Sequence, residues 1–174
     1  DVWSVVHDPD VDIVVELIGG VEPARSLMAA ALEQGKSVVT ANKAALAHHG
    51  AELAALAAEN GADLLFEGSV AGGIPIIKPL RDCLAANRIQ AVTGIINGTT
   101  NYILTGMARD GLDFHTMMQR AQEAGYAEAD PTSDVEGYDA AFKLAILASI
   151  AFETPVRVED VYCEGISRIS PVDI

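Results

Sequence analysis

The sequence has few basic residues and no long apolar run. Its 174 residues include 11 Lys and Arg against 25 Asp and Glu, which gives a formal net charge of -14. Nucleic-acid binding needs a clustered basic face, so this charge balance excludes that class of partner. No apolar run reaches the roughly 18 to 20 residues that span a bilayer, and residues 1–4 lack the basic and apolar regions of a signal peptide. We therefore expect a cytoplasmic protein without a membrane partner.

Cysteine is also scarce, and one glycine motif is missing. Cys83 and Cys163 belong to no Cys-x-x-Cys or Cys/His pattern, which argues against a disulfide framework and a zinc site and favours two small buried side chains. The chain has no Gly-x-Gly-x-x-Gly turn, with which a dinucleotide-binding sheet normally begins. Because it opens on a helix end and a mid-sheet strand, we expect the first βαβ unit to lie outside these 174 residues.

What is present is an alternation of strands and helices. Short β-branched runs predict strands at 11–18, 36–40, 62–66 and 89–96. Helical spacing of apolar residues predicts helices at 24–34, 44–60, 76–84, 97–108, 115–124 and 134–152. The first three strands with their helices predict a parallel α/β sheet. We expect a partial Rossmann-like domain at 1–68 and an α+β catalytic or substrate domain at 69–174.

The last predicted helix contains an unusual lysine. Between Ala140 and Ala151 only Lys143 and Ser149 are polar, and a lysine in an apolar helix is costly unless its ammonium finds a partner. Asp139 at i-4 and Glu136 at i-7 fall on the same helical face. Lys143 is then either a proton shuttle in a cleft or the partner in an ordinary ion pair.

Acidic residues cluster just before this helix. Glu128, Asp130, Asp134 and Glu136 lie within nine residues. Three interpretations stay open on spacing alone: a divalent metal site, a pocket for an ammonium group, or a turn and helix cap at Asp130 and Asp134.

Two further segments are candidate ligand sites. Thr40, Ala41, Asn42 and Lys43 follow a predicted parallel strand, and the carboxyl ends of such strands are where open α/β sheets bind ligands; the alternative is an Asn-capped helix start with a solvated lysine. The glycine-rich loop 67–74 could bind a hard monovalent cation through backbone carbonyls, or could simply be a tight turn before Pro75.

Five segments together resemble the homoserine dehydrogenase family over nearly the whole chain and in the right order. They are VVELIGG (14–20), VVTANK (38–43), EGSVAGGIP (67–75), GIINGTTNYIL (94–104) and AGYAEADPTSDVEGYDAAFK (124–143). The resemblance implies an NAD- or NADP-dependent oxidoreductase that interconverts L-homoserine and L-aspartate 4-semialdehyde, in threonine, methionine and isoleucine biosynthesis. It also implies a homodimer or higher homo-oligomer.

The resemblance further implies a role for particular residues. Lys143 would exchange the proton of the substrate's C4 oxygen, with Asp139 positioning it. The implied substrate-binding residues are Gly125, Glu128, Asp134 and Lys43, with the Glu128 carboxylate facing the α-ammonium. The implied cofactor-binding residues are Gly19, Gly20, Thr40, Ala41 and Lys43. A structural sodium ion would be held by Glu67, Val70, Gly72 and Ile74 through backbone oxygens.

The residues that select NAD or NADP by its ribose 2' group belong to a strand outside this sequence, so the preference stays open. Two rivals are a binding module that has lost catalysis and a semialdehyde dehydrogenase that forms a thioester. The intact Lys143 argues against the first. The second needs a catalytic cysteine, and Cys83 has no nearby histidine in the sequence.

Overall fold

The structure, a computed structural model, describes all 174 residues. They divide into two compact units, 1–92 with 142–160, and 93–141 with 161–174. The α-helices are α1 (Val2–His7), α2 (Ala24–Glu33), α3 (Lys43–Glu59), α4 (Gly98–Asp110), α5 (Phe114–Glu123), α6 (Thr132–Val135) and α7 (Tyr138–Ala151), and the strands are β1 (Ile13–Glu16), β2 (Ser37–Thr40) and β3 (Leu64–Leu65). No helix has the length and apolar character needed to cross a membrane.

The first unit is built on a three-stranded parallel sheet in the order β1-β2-β3. The strand and helix alternation in the first 66 residues predicted this sheet, and the prediction of a Rossmann-like parallel α/β fold is confirmed. Both α2 and α3 contact the sheet and each other. Met28 and Leu32 of α2, Leu53 of α3 and Val38 of the central strand are all completely buried. Burial of side chains of this size contributes about 1.5–3 kcal/mol each, so this layer holds the carboxyl ends of β1 and β2 in place.

The second unit is helical. Its core consists of one cluster of buried side chains from α4, α5 and the segment that follows them: Ile103, Met107, Met117, Ala121, Ala127 and Val135. Gly106 lets α5 approach α4, because a Cβ at this position would lie 2.0 Å from the Met117 methyl carbon. The assignment of domains to 1–68 and 69–174 stays a prediction.

Three sequence expectations differ from the structure. Residues 89–96 form no strand, because the only sheet lies at β1–β3 and a strand needs a ladder partner for its backbone groups. The predicted helix at 76–84 is helical from 77 to 83, but the part from Pro79 to Cys83 is a π-helix rather than an α-helix. The long helix from 134 is split into α6 and α7 by Gly137, whose φ of 86° is left-handed.

Both cysteines are exposed rather than buried. Cys83 lies in the short π-helical turn. The Cys163 thiol contacts the Glu136 carbonyl oxygen at 3.3 Å. Both therefore depart from the buried position that their residue type favours.

Candidate functional site

The carboxyl edge of the sheet carries a buried carboxylate. Glu16 ends β1 and Thr40 ends β2, and the parallel register pairs them directly. Glu16 is 3% exposed and Thr40 is 2% exposed. The Thr40 hydroxyl donates to Glu16 Oε2 at 2.7 Å. A buried charge needs hydrogen-bond donors around it, and Thr40 supplies the first of them.

The turn that follows β1 wraps around the same carboxylate. Glu16 Oε1 accepts hydrogen bonds from the backbone N–H of Ile18 at 2.7 Å and of Gly19 at 3.3 Å. Gly19 and Gly20 have φ values of 82° and 72°, a left-handed conformation that glycine adopts without a steric penalty. Apart from the turn's own backbone, nothing lies within 4 Å of where their Cβ atoms would be. Their backbone is therefore open to a ligand.

The start of α3 is tied to the same edge. Asn42 Oδ1 caps the helix by accepting from the Ala45 N–H at 3.1 Å, which confirms the predicted Asn cap. The Asn42 side chain also donates to the Gly20 carbonyl at 2.7 Å, and its N–H donates to the Thr40 hydroxyl at 2.9 Å. Lys43, the first residue of α3, is half-buried. The structure thus brings Gly19, Gly20, Thr40, Ala41 and Lys43 to one edge of the sheet.

The glycine-rich loop is organised by its first residue. The Glu67 carboxylate accepts from the backbone N–H groups of Ile76 at 2.6 Å, Ile77 at 2.9 Å and Lys78 at 2.8 Å. Burial acts to raise the pKa of Glu67, but these three N–H groups hold that pKa below its ordinary value. These N–H groups take most of the carboxylate's acceptor positions, so backbone oxygens are the main ligands that the loop can offer a cation. Of the other predicted ligands, Val70 is buried and Ile74 is exposed.

In the second unit, Asn97 links two carboxylates. Its Nδ2 donates to Asp134 at 2.7 Å and to Asp139 at 2.9 Å. Its Oδ1 accepts from the N–H of Thr100 at 2.8 Å and so caps α4. Because the cap fixes which end of the amide is the oxygen, both amide hydrogens must face the two acids. Asn97 and Asp139 are both buried.

The loop after α5 lies against α4. The Thr99 hydroxyl donates to the Tyr126 carbonyl at 2.8 Å, and the rings of Tyr102 and Tyr126 stack with centroids 4.6 Å apart. Gly125 follows α5 with a φ of 76°. Glu128 is exposed, and its carbonyl accepts from Gln122 Nε2 at 3.2 Å. Through Thr99 and Asn97, the first turn of α4 therefore contacts both the loop that carries Gly125 and Glu128 and the pair Asp134 and Asp139.

The acid cluster divides by role. The Asp130 carboxylate accepts hydrogen bonds from the Thr132 N–H at 3.1 Å and from the Thr132 hydroxyl at 2.6 Å. Both bonds lower the pKa of Asp130, and the hydroxyl has the larger effect. Glu136 lies before α7 rather than on it, and accepts from the Ser167 hydroxyl at 2.8 Å. No three His, Cys, Asp or Glu side chains are arranged to hold a metal ion. The turn interpretation thus holds for Asp130, which bonds two residues ahead and is not the cap of α6, and Asp134 is paired with Asp139 through Asn97.

Asp139 and Lys143 lie one turn apart on α7. Lys143 is half-buried in a helix whose other side chains, apart from Ser149, are apolar between 140 and 151. A cavity of about 890 Å³ lies elsewhere in the first unit, between α3 and the end of α7, and none of the predicted site residues lines it. The candidate chemistry therefore lies in the hydrogen-bonded clusters around Glu16 and Asn97 and not in this cavity.

Sequence reasoning missed Glu16 and Asn97. Glu16 stands in a β-branched apolar run, and only its pairing with Thr40 shows that its side chain points inward. Asn97 precedes Gly98 and two threonines, a pattern that indicates a helix cap. The pattern gave no sign of the two carboxylates, which lie 37 and 42 residues further along the chain.

Known proteins resemble this chain along its whole length. Residues 1–67 match the family model "Homoserine dehydrogenase, NAD binding domain", and residues 75–174 match the model "Homoserine dehydrogenase". The homoserine dehydrogenase of Corynebacterium glutamicum is 58% identical over 174 residues, which are 100% of this chain and 39% of that protein. That of Synechocystis is 55% identical over 174 residues, 40% of its length. The chain thus spans about two fifths of these relatives.

Solved structures agree. A homoserine dehydrogenase from Thiobacillus denitrificans superposes with a TM-score of 0.97 at 54% identity, over 100% of this chain and 40% of that one. A hyperthermophilic archaeal homoserine dehydrogenase in complex with NADPH superposes with a TM-score of 0.88 at 31% identity, over 98% of this chain and 53% of that one.

Proposed function

Because this chain belongs to the homoserine dehydrogenase family, we propose that it carries the cofactor edge and the proton-transfer residues of an enzyme that interconverts L-homoserine and L-aspartate 4-semialdehyde with NADP or NAD. One observation carries the proposal: buried Asp139, held beside Asp134 by Asn97, stands one turn before Lys143 on an apolar helix. The reaction would then belong to threonine, methionine and isoleucine biosynthesis from aspartate, as the resemblance implies.

The cofactor would lie against the carboxyl edge of β1 and β2. The residues fit it, since Gly19 and Gly20 leave their backbone open and the carboxyl edge of a parallel sheet is the usual dinucleotide site. Gly19, Gly20, Thr40 and Ala41 would line this edge, with Lys43 near both cofactor and substrate. When bound, the nicotinamide supplies hydride transfer to or from the substrate's C4.

The substrate would be held by the corner of the second unit that Asn97 organises. Glu128 is exposed and acidic and would accept the α-ammonium of homoserine. Gly125 and Asp134 would complete the contacts. This choice favours the ammonium pocket over a divalent metal site, and it agrees with the absence of three acidic or histidine side chains grouped as metal ligands.

Lys143 would be the acid and base. In the oxidation of homoserine the neutral amine takes the C4 hydroxyl proton as C4 loses hydride, and in the reverse direction the ammonium returns that proton to the C4 oxygen. Asp139 would position Lys143 or the substrate hydroxyl. A lysine suits this role because its ammonium, unlike a guanidinium, can release a proton and take it back.

A monovalent cation, sodium in the family pattern, would be held by the loop from Glu67 to Ile74. Its ligands would be the backbone oxygens of Glu67, Val70, Gly72 and Ile74, since the Glu67 carboxylate is occupied by three N–H groups. Its effect would be structural. We also propose a cytoplasmic homo-oligomer, and exposed free cysteines at 83 and 163 suit a reducing compartment.

The proposal is tested in the full-length protein that carries this chain, by homoserine-dependent reduction of NADP and of NAD. Lys143→Ala should lower kcat by on the order of 10² or more, as removal of an acid-base group does. Lys143→Arg should be as slow, because a guanidinium keeps the charge but does not release a proton. Lys78→Ala, in which an exposed lysine is removed, is the control and should turn over normally.

An inactive wild-type protein would overturn the substrate assignment. A Lys143→Arg variant as fast as the wild type would instead show that only the positive charge is needed.

A further inference from the structure

We infer that Glu16 is the positioning residue of the cofactor edge: its buried carboxylate sets the turn that the dinucleotide contacts. The inference deepens the proposed function and rests on it. Glu16 itself is 3% exposed and would act through its neighbours rather than by touching the cofactor.

Hydrogen-bond donors surround the Glu16 carboxylate. The Thr40 hydroxyl approaches at 2.7 Å, the N–H of Ile18 at 2.7 Å, the N–H of Gly19 at 3.3 Å and the Asn42 amide at 3.5 Å. Only an ionised carboxylate offers acceptors alone on both of its oxygens. A glutamine can keep its oxygen toward the three N–H donors only by placing its NH2 group against the Thr40 hydroxyl, so the negative charge and the hydrogen bond donated by Thr40 are both lost.

These donors belong to two different segments of the chain. Ile18 and Gly19 are in the turn after β1, and Thr40 and Asn42 are in the connection from β2 to α3. Asn42 closes the network by donating to the Gly20 carbonyl at 2.7 Å. One side chain therefore joins both chain segments that form the carboxyl edge, and fixes their spacing.

The shape of the turn after β1, which Glu16 holds, leaves its backbone accessible. Two successive left-handed glycines at 19 and 20 leave the turn without side chains on its outer part. Without Glu16, a turn containing two glycines would have many alternative conformations.

The test measures dinucleotide binding directly in the full-length protein, without homoserine, by titrating NADP and NADPH and following fluorescence. Glu16→Gln should raise Kd on the order of tenfold, the effect of losing a hydrogen bond to a charged group. Glu22→Gln is the matched control. Glu22 also accepts from one N–H and one hydroxyl, both of Ser26, but it is exposed and outside the network. The Kd of the Glu22→Gln variant for the dinucleotide should stay within about twofold of the wild-type value.

Thr40 provides a second pair of variants if Glu16→Gln does not fold. Thr40→Val removes the hydroxyl that donates to Glu16 and should also raise Kd on the order of tenfold, whereas Thr40→Ser keeps the hydroxyl and should stay within about threefold of the wild type. Thr40→Val also leaves the Asn42 N–H without its acceptor, but both changes remove the Glu16–Thr40 hydrogen bond, so the rise in Kd of the double variant Glu16→Gln, Thr40→Val should be well below the product of the two single rises.

Steady-state kinetics separate positioning from general loss of stability. A positioning role raises KM for the dinucleotide while KM for homoserine stays within about twofold. Glu16→Gln that folds and binds like the wild type overturns the inference, as does a Thr40→Val variant that binds like Thr40→Ser. A wild-type protein that binds neither dinucleotide overturns the proposed function, and the inference with it; normal binding by the wild type with no effect of the variants overturns the inference alone.

Discussion

Replacing Asn97 by aspartate should separate its two jobs, because aspartate keeps the helix cap and removes both amide donors. In the native chain Oδ1 caps α4, while Nδ2 donates to Asp134 and Asp139. Asn97→Ala loses both the cap of α4 and the two hydrogen bonds to the carboxylates. The cap contributes about 1 kcal/mol, and each hydrogen bond to a charged group about 1.5–3 kcal/mol. We therefore expect Asn97→Ala to lower the free energy of unfolding by about 4 kcal/mol, the lower end of these combined contributions, because Asp134 is only half-buried.

Asn97→Asp should differ from Asn97→Ala through its dependence on pH. A third carboxylate beside two others has its folded pKa raised by like charge above the unfolded value of about 3.9. Between those two pKa values the folded variant binds more protons than the unfolded chain, so its stability falls as pH rises through that window. Relative to the wild type, Asn97→Asp should be strongly destabilised at pH 7.5 and recover part of the loss at pH 4.5, where the introduced carboxyl group, once protonated, can donate one hydrogen.

The assay is thermal unfolding of the full-length protein at the two pH values, with hydrogen exchange of the first turn of α4 as the local readout. The Thr100 amide should exchange faster in Asn97→Ala and stay protected in Asn97→Asp, because only the second keeps the cap. Asp113→Asn, the same change reversed at the exposed cap of α5, is the control and should show little effect. Equal stability of Asn97→Asp and the wild type at pH 7.5, or a larger deficit at pH 4.5, would refute the reasoning.

Two further predictions concern stability. Glu67→Gln should destabilise the protein at neutral pH, because the carboxylate accepts three consecutive backbone N–H groups beginning at Ile76. Since the pKa of Glu67 is lowered in the folded protein, the difference in stability from the wild type should shrink as pH falls through that pKa. A difference in thermal unfolding that does not change with pH would contradict this. Gly137→Ala should cost about 1–3 kcal/mol more than Gly111→Ala, because both have positive φ but only the Cβ at 137 would lie 2.9 Å from the Cys163 sulfur, whereas nothing lies within 4 Å at 111; equal melting temperatures for the two variants would be the contrary result.

The sequence predicted best those features that depend on neighbouring residues. The bounds of α3 followed from the Asn42 cap and the glycine at 61, and the structure has Lys43–Glu59. The parallel sheet followed from the alternation of strands and helices, because parallel strands need a helical crossover.

The features that failed depend on distant residues or on single backbone angles. Residues 89–96 have the composition of a strand but no partner strand, and composition says nothing about a partner. The break at Gly137 needs a φ of 86°, which apolar periodicity does not reveal. Glu16 and Asn97 were missed for the first of these reasons. Their roles come from groups such as Thr40 and Asp139, 24 and 42 residues away in sequence.

We propose that Lys143 exchanges the proton on the substrate's C4 oxygen beside the nicotinamide. The most direct measurement is a crystal structure of the full-length protein with NADP and homoserine bound. We expect the Lys143 Nζ to lie about 3 Å from the C4 oxygen, which is proton-transfer distance. We also expect the Glu128 carboxylate to contact the α-ammonium and the Gly19–Gly20 turn to contact the cofactor. A homoserine bound with its C4 oxygen facing another acid or base, and Lys143 out of reach, would contradict it.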